Sequence, residues 1–314
     1  MLTRRALVAA AAGFARGSPA PKPLGGAFPI LATPYTAAGA VDYDGLSAEV
    51  DFMDRCGVQG MVWPQSASEC DKLTREERLR GMEVVARAAR GRKPALLLGV
   101  QAAGTAGMLE YARHAEKLAP DALIAMPPGQ GRNLDDFREY YRALCRATER
   151  PVFIQTSGGP KGVEPTVEFI VSLAREFPNF GYVKEEYEPA LERMREMARH
   201  RPPIKVLFSG SGGWPYEMRL GFDGMMPGAP WADIYAQLWA LHEAGRETAV
   251  RELFSKLLLV TTLERQIPGM RLYVMRRRGV FRTMVSRRTK FESTPEAVAE
   301  IEDCFALLKP HLKA

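Results

Sequence analysis

Between residues 25 and 230 of this 314-residue chain, eight short apolar runs alternate with stretches of helical spacing. The first four are AFPILATP (27–34), GVQGMVWP (57–64), PALLLGV (94–100) and DALIAMPP (121–128). The last four are PVFIQT (151–156), GYVKEE (181–186), IKVLFSG (204–210) and GFDGMMPG (221–228). Helical patterns occupy 44–56, 73–90, 105–118, 134–148, 165–176 and 189–200, and Thr74 with Glu77 makes a capping box for the second of them. Short strands separated by helices are the signature of βαβ units and a parallel sheet. The runs are apolar on both faces, as parallel strands covered by helices should be. Eight units predict an α/β chain closed into a (β/α)8 TIM barrel over residues 25–230. No G-x-G-x-x-G loop follows any run, so a dinucleotide fold lacks its main support. Residues 231–314 hold more helix than one barrel unit needs and are expected to form a C-terminal helical bundle.

Composition removes several functional classes. The formal charge of +6 is mild, and no basic tract interleaves with aromatics, so nucleic acid is not an expected partner. The clusters Arg276 to Arg278 and Arg287-Arg288 read as a solvated face or a subunit contact. Four cysteines (Cys56, Cys70, Cys145, Cys304) show no C-x-x-C spacing, and His114, His200, His242 and His311 are dispersed. Neither a metal site, a disulfide framework nor an organic cofactor is expected.

The first residues differ in kind. MLTRRALVAAAAGFARGSPAPKP pairs Arg4 with Arg5, continues with an apolar run over 6–15, and ends in small residues. This layout predicts a secretory leader over residues 1–20, of the twin-arginine type, and a periplasmic or exported protein. The bland reading is a disordered leader on a cytoplasmic protein. The run is too short to span a membrane. Removing residues 1–20 takes three arginines and leaves +3.

Lys184 interrupts the sixth run. Active sites of such barrels sit at the carboxyl ends of the strands, which is where Lys184 is expected. Low-dielectric surroundings disfavour an ammonium, and a neutral amine attacks ketones and aldehydes to form a Schiff base. Neighbouring residues on a strand face opposite ways. Glu185 is therefore expected to turn away, and Glu186 to return to the lysine's side as a candidate proton carrier. Against this stands a lysine that merely ends a strand or pairs with a glutamate.

The arrangement resembles the dihydrodipicolinate synthase / N-acetylneuraminate lyase family of class I aldolases over roughly residues 25–310. LATPYTAAGAVDYDGL is similar to the family's opening strand and turn, with Thr33 and Pro34 in matching places. CGVQGMVWPQSASECDKLTREER is similar to its G-T-T-G-E loop followed by L-T-x-E-E-R. Here the loop reads Gln65-Ser66-Ala67-Ser68-Glu69, and the second half matches at Leu73, Thr74, Glu76, Glu77 and Arg78. GYVKEE matches the strand that carries the Schiff-base lysine, which is Lys184; VLFSG and GFDGMMPG match the last two strands. The resemblance implies a homotetramer, a small-molecule 2-oxo acid substrate such as pyruvate, and no membrane partner. It also implies that Ser66 and the Ala67 backbone N–H hold the substrate carboxylate, with Glu69 retained. Gly210 and Met226, at the ends of the seventh and eighth runs, join the substrate-binding candidates.

Departures from the pattern are specific. Gln155 occupies the place of the catalytic tyrosine at the end of the fifth strand; a phenol can shuttle a proton and an amide cannot at ordinary pH. Pro128 and Gly129 stand where a second tyrosine is supplied across a subunit contact. Pro160 aligns with the arginine that some synthases use for a second carboxylate, and Lys161 beside it offers only a point charge. Gln155 remains a candidate hydrogen-bond donor to substrate. Two functions follow: a lyase that makes or breaks a C–C bond through an imine on Lys184, or a barrel that binds an oxo acid or sugar acid without turning it over.

Overall fold

A computed structural model describes residues 21–210, 212, 214–291 and 294–314; the expected leader lies outside them. The strands are β1 Gly26–Ala27, β2 Gly60–Trp63, β3 Ala95–Gly99, β4 Ala122–Ala125, β5 Val152–Gln155, β6 Tyr182–Glu185, β7 Val206–Ser209 and β8 Gly224–Met225. They pair in the order β1-β8-β7-β6-β5-β4-β3-β2, and every pairing is parallel. Ile30 bridges in parallel to both Val62 and Gly228, which brings the two ends of the sheet together as a (β/α)8 barrel.

Helices α1 Tyr43–Cys56, α2 Arg75–Ala89, α3 Thr105–Leu118, α4 Leu134–Ala147, α5 Val167–Glu176, α6 Ala190–Ala198, α7 Trp214–Arg219 and α8 Ala232–Glu243 follow the strands in turn. Their starts are written locally. The side chains of Asp42, Thr74, Asn133 and Thr166 each accept an N–H from the first turn that follows, and Glu77 returns the bond to Thr74. Gly57 ends α1 in the left-handed conformation at φ 77°. Three further helices, α9 Glu247–Gln266, α10 Met270–Arg277 and α11 Pro295–Leu308, pack with α8 as the C-terminal helical part. Among the described residues no helix is long and apolar enough to cross a membrane.

Alternation along the strands divides the core. Phe28, Val62, Leu97, Ile124, Phe153 and Phe208 fill the barrel interior, while Met61, Leu96, Leu98, Leu123, Ile154 and Val183 face the helices. The first strand is shorter than its apolar run. Pro29 and Pro34 bring no N–H to a ladder, so pairing reduces to Gly26–Ala27 plus the single bridging residue Ile30.

Of the two basic clusters, Arg276, Arg277 and Arg288 are exposed, as a solvated face requires, whereas Arg278 and Arg287 turn to inner partners. Arg278 and Asp233 form an ion pair at 2.5 Å with side chains 1% and 0% exposed. Arg287 reaches back to Glu77 at 2.6 Å and stacks on the Tyr35 ring. Their acidic partners lie far off in sequence, where local charge patterning does not look.

Candidate active site

Two strands and the residues just past them build the site. On β6 the side chains alternate as expected. Tyr182 packs with the barrel interior and Val183 with the helix-facing layer. Lys184 follows on the inside, 2% exposed. Register pairs Lys184 with Gln155 of β5 on one side and with Phe208 of β7 on the other. The lysine thus stands one layer above the aromatic interior, at the carboxyl end of the barrel.

Its amine meets two partners. Nζ donates to Gln155 Oε1 at 3.2 Å and lies 2.8 Å from Glu186 Oε1. Gln155 Nε2 donates to Ser157 Oγ at 3.1 Å, and Ser157 Oγ donates to Glu186 Oε2 at 2.6 Å. Lys184, Gln155, Ser157 and Glu186 therefore close a ring of polar contacts. Gly210 makes room for it: a Cβ there would fall 2.2 Å from Glu186 Cγ. The lysine is thus paired with a carboxylate, yet a cavity opens in front of it.

Glu185 turns the other way, as strand alternation requires. Fully buried, it lies 3.1 Å from Arg193 Nε of α6 and accepts from Thr156 Oγ1 and from the Tyr187 N–H. Burial raises its pKa above the ordinary carboxyl value, against the pull of Arg193 and these hydrogen bonds. Thr156 Oγ1 also accepts the Glu186 N–H at 2.9 Å. This fixes the backbone turn that returns Glu186 to the lysine.

The loop after β2 forms the facing wall. Thr33 Oγ1 donates to the Ser68 carbonyl at 2.6 Å, and Gln65 Nε2 donates to Gln101 Oε1 at 3.0 Å. Ser66 and Ala67 are left facing the cavity. Glu69 adopts a left-handed φ of 56°, uncommon for a side chain of its type. Its carboxylate holds the Ser286 hydroxyl and the Arg287 N–H at 2.9 Å. Glu69 thus ties the loop to the segment before α11, a structural role. Next to it, Arg288 Nη1 donates to the Ser66 carbonyl at 2.8 Å and pairs with Asp71.

A cavity of about 580 Å³ collects every candidate read from the sequence: Lys184, Glu186, Gln155, Ser66, Ala67, Gly210 and Met226. Ser157, Tyr235 and Arg271 line it too and were not singled out from the sequence, and so does Arg288, read there only as part of a basic cluster. Ser157 was within reach of the period-two argument that selects Glu186, since it follows Gln155 by two positions. The others arrive from the C-terminal part, and nothing local in the sequence announces them. Among the described residues no three His, Cys, Asp or Glu side chains gather as a metal-binding group. The chemistry on offer is an amine, a carboxylate and a hydroxyl in contact, beside a wall of polar backbone.

These features define a barrel protein whose pocket, at the carboxyl ends of the strands, is centred on a buried lysine of strand six. Its lineage is specific: the dihydrodipicolinate synthetase family model matches residues 23–298, and the chain belongs to that family. The 4-hydroxy-tetrahydrodipicolinate synthase of Phocaeicola vulgatus is 29% identical over 184 residues, 58% of this chain and 61% of the relative. That of Rhizobium meliloti is 29% identical over 51% of this chain and 54% of its own length, so the chain spans about half to six-tenths of these relatives. Among solved structures, dihydrodipicolinate synthase from Aquifex aeolicus superposes with a TM-score of 0.82 at 20% identity, covering 92% of this chain and 100% of that one. The prophage protein YagE of E. coli K12, solved in complex with pyruvate, gives 0.83 at 18% identity, covering 91% and 99%. At such identities these structures bear on the fold.

Proposed function

We propose that this protein is a lyase that condenses Lys184 with the keto group of pyruvate or another short 2-oxo acid and then makes or breaks the neighbouring C–C bond. The observation that carries the reading is the contact of Lys184 Nζ with Glu186 at 2.8 Å on the wall of a 580 Å³ cavity. Family membership supports it, as does the pyruvate complex of YagE.

The polar ring gives the steps a route. Glu186 takes a proton from the lysine ammonium, freeing the amine to attack the keto carbon. The carbinolamine loses its oxygen as water, which carries off two of the three ammonium protons. A protonated imine remains, and Glu186 is again a carboxylate. The imine then draws in the electron pair of a C–H or C–C bond that breaks at the adjacent carbon, and the enamine so formed returns the pair when a new C–C or C–H bond is made there. Glu186, steadied by Ser157, serves as base for the departing proton, the task that falls to a phenol where the family pattern has tyrosine. Unpaired backbone supports carboxylate binding: neither Ser66 nor Ala67 donates its N–H within the described residues.

Borohydride reduction in the presence of pyruvate tests the reading. A stable mass increase on the peptide containing Lys184 is expected. Absence of any adduct with pyruvate and other short 2-oxo acids would favour the second reading, a barrel that binds such acids without turnover. The amide of Gln155 at the tyrosine position is the observation on that side.

The paired arginines at residues 4 and 5 support export, which the mass of the mature N-terminus in the producing cell tests. Assembly as a homotetramer follows from the family resemblance, and light scattering reads it directly.

A further inference from the structure

Outward from the lysine the cavity continues beneath α9. Helical spacing turns Leu257, Thr261 and Arg265 to this side, and all three line the cavity. At the same end stands Arg271, from the first turn of α10. Its Nε donates to Glu264 Oε2 at 2.9 Å, and Glu264 Oε1 in turn accepts the Trp231 indole N–H at 3.1 Å. The Glu264 side chain is only 8% exposed, so this anchor is sheltered. The guanidinium lies over Gly228, where a Cβ would fall 2.9 Å from Cζ. The two terminal nitrogens of Arg271 make no hydrogen bond among the described residues. Nor does the Tyr235 hydroxyl, which borders the same space and feels the charges of both Arg271 and Glu264. Arg265 has no ion-pair partner among the described residues.

The Arg271 side chain itself is half exposed, and an arginine held by its Nε at the rim of a cavity, with its terminal nitrogens unpaired, is a receptor for an anion. We infer that this outer compartment is a second anion subsite, in which Arg271 and Tyr235 receive a carboxylate or phosphate at the far end of the substrate. The inference rests on the imine reading only for what sits at the near end. Gly228 follows β8, and Lys184 is on β6, two strands away. Adjacent strands are separated by about 4.8 Å, so the lateral gap is on the order of 10 Å. Pyruvate bound at the lysine is too small to bridge it. The compartment therefore selects what is attached beyond the keto carbon: an acid-ended chain rather than a neutral one.

Calorimetric titration with 2-oxoadipate and 2-oxohexanoate reads the subsite, because the two share a six-carbon chain and differ in the terminal carboxylate. The wild-type protein is expected to bind the diacid about tenfold tighter or more, with the preference shrinking as salt is raised. Arg271→Gln is expected to bring the ratio near one. Gly228→Ala, which displaces the guanidinium without removing its charge, is expected to lower the ratio as well. A 2-oxo acid ending in a phosphate ester, titrated alongside, assigns the end group to whichever probe binds tighter. A wild-type ratio near one with both anionic probes, or a ratio kept in both variants, overturns the inference. The two readings fail separately. A diacid preference without any borohydride adduct leaves the subsite and removes the imine; an adduct without preference does the reverse.

Discussion

Ser157 donates its hydroxyl to Glu186 Oε2 at 2.6 Å, so the carboxylate beside the lysine amine is shared between a residue that follows β5 and the lysine of β6. That sharing orders the expected effects of substitution. Glu186→Gln removes the proton acceptor and is expected to slow imine formation on the order of 10²-fold. Ser157→Ala leaves the acceptor but loosens it, with a smaller loss. Timed quenching of the pyruvate-treated protein with borohydride measures both, and equal rates in the three proteins would remove Glu186 from the proposed mechanism.

Gly210 is a steric test of the same contact. A methyl group there would fall 2.2 Å from Glu186 Cγ, too close to stay. Gly210→Ala is expected to push the carboxylate off Lys184 and slow trapping about as much as Glu186→Gln, while the melting temperature changes little. Trapping at the wild-type rate would show that the ion pair is dispensable.

Glu49 of α1 predicts a pH effect on stability. It is fully buried, accepts the Ala32 N–H at 3.0 Å, and leaves Oε2 without a partner among the described residues. Burial raises its pKa well above 4.5. In the pH range above 4.5 the unfolded chain releases this proton while the native chain keeps it, so the group makes stability fall as pH rises through that window. Glu49→Gln keeps the shape and has no charge to bury. Its melting temperature at pH 7 is expected to exceed that of the wild type, with the difference fading towards pH 4. A lower melting temperature at pH 7 would point to an unseen cation beside Glu49.

The pair Asp233–Arg278 is a structural counterpart. Asp233 also accepts the Lys313 N–H at 2.8 Å, so it joins α8 to both α10 and the chain end. Asp233→Ala strands a buried guanidinium and is expected to cost about 3–5 kcal/mol in urea unfolding. Replacing both partners, Asp233→Leu with Arg278→Met, is expected to cost less than the single change.

What the sequence disclosed and what it withheld divide along contact range. Lys184 and Glu186 were legible because they lie at the end of an apolar run and strand periodicity sets their faces, while Gln155 was legible only through the resemblance, as the occupant of the tyrosine place. The Thr74–Glu77 cap was legible because it spans three residues. The first apolar run is only partly regular strand: within AFPILATP, Ala27 belongs to the ladder and Ile30 to isolated bridges, and Pro29 and Pro34 bring no N–H. Arg288 is exposed as expected, whereas Arg278 and Arg287 were misread as surface because Asp233 and Glu77 come near them only after the barrel has closed. Arg271 was invisible for the same reason. Its value depends on Glu264 and on the missing Cβ of Gly228, neither of which any local pattern ties to it.

Ile30 closes the barrel by holding Val62 with one edge and Gly228 with the other, and Arg271 rests on Gly228. The Lys184 amine stands elsewhere on the circumference, on β6. On the reading proposed above, recognition of a substrate's tail and attack on its head would belong to separate stretches of wall, so that helices laid over the seam could change the one while the lysine stays undisturbed.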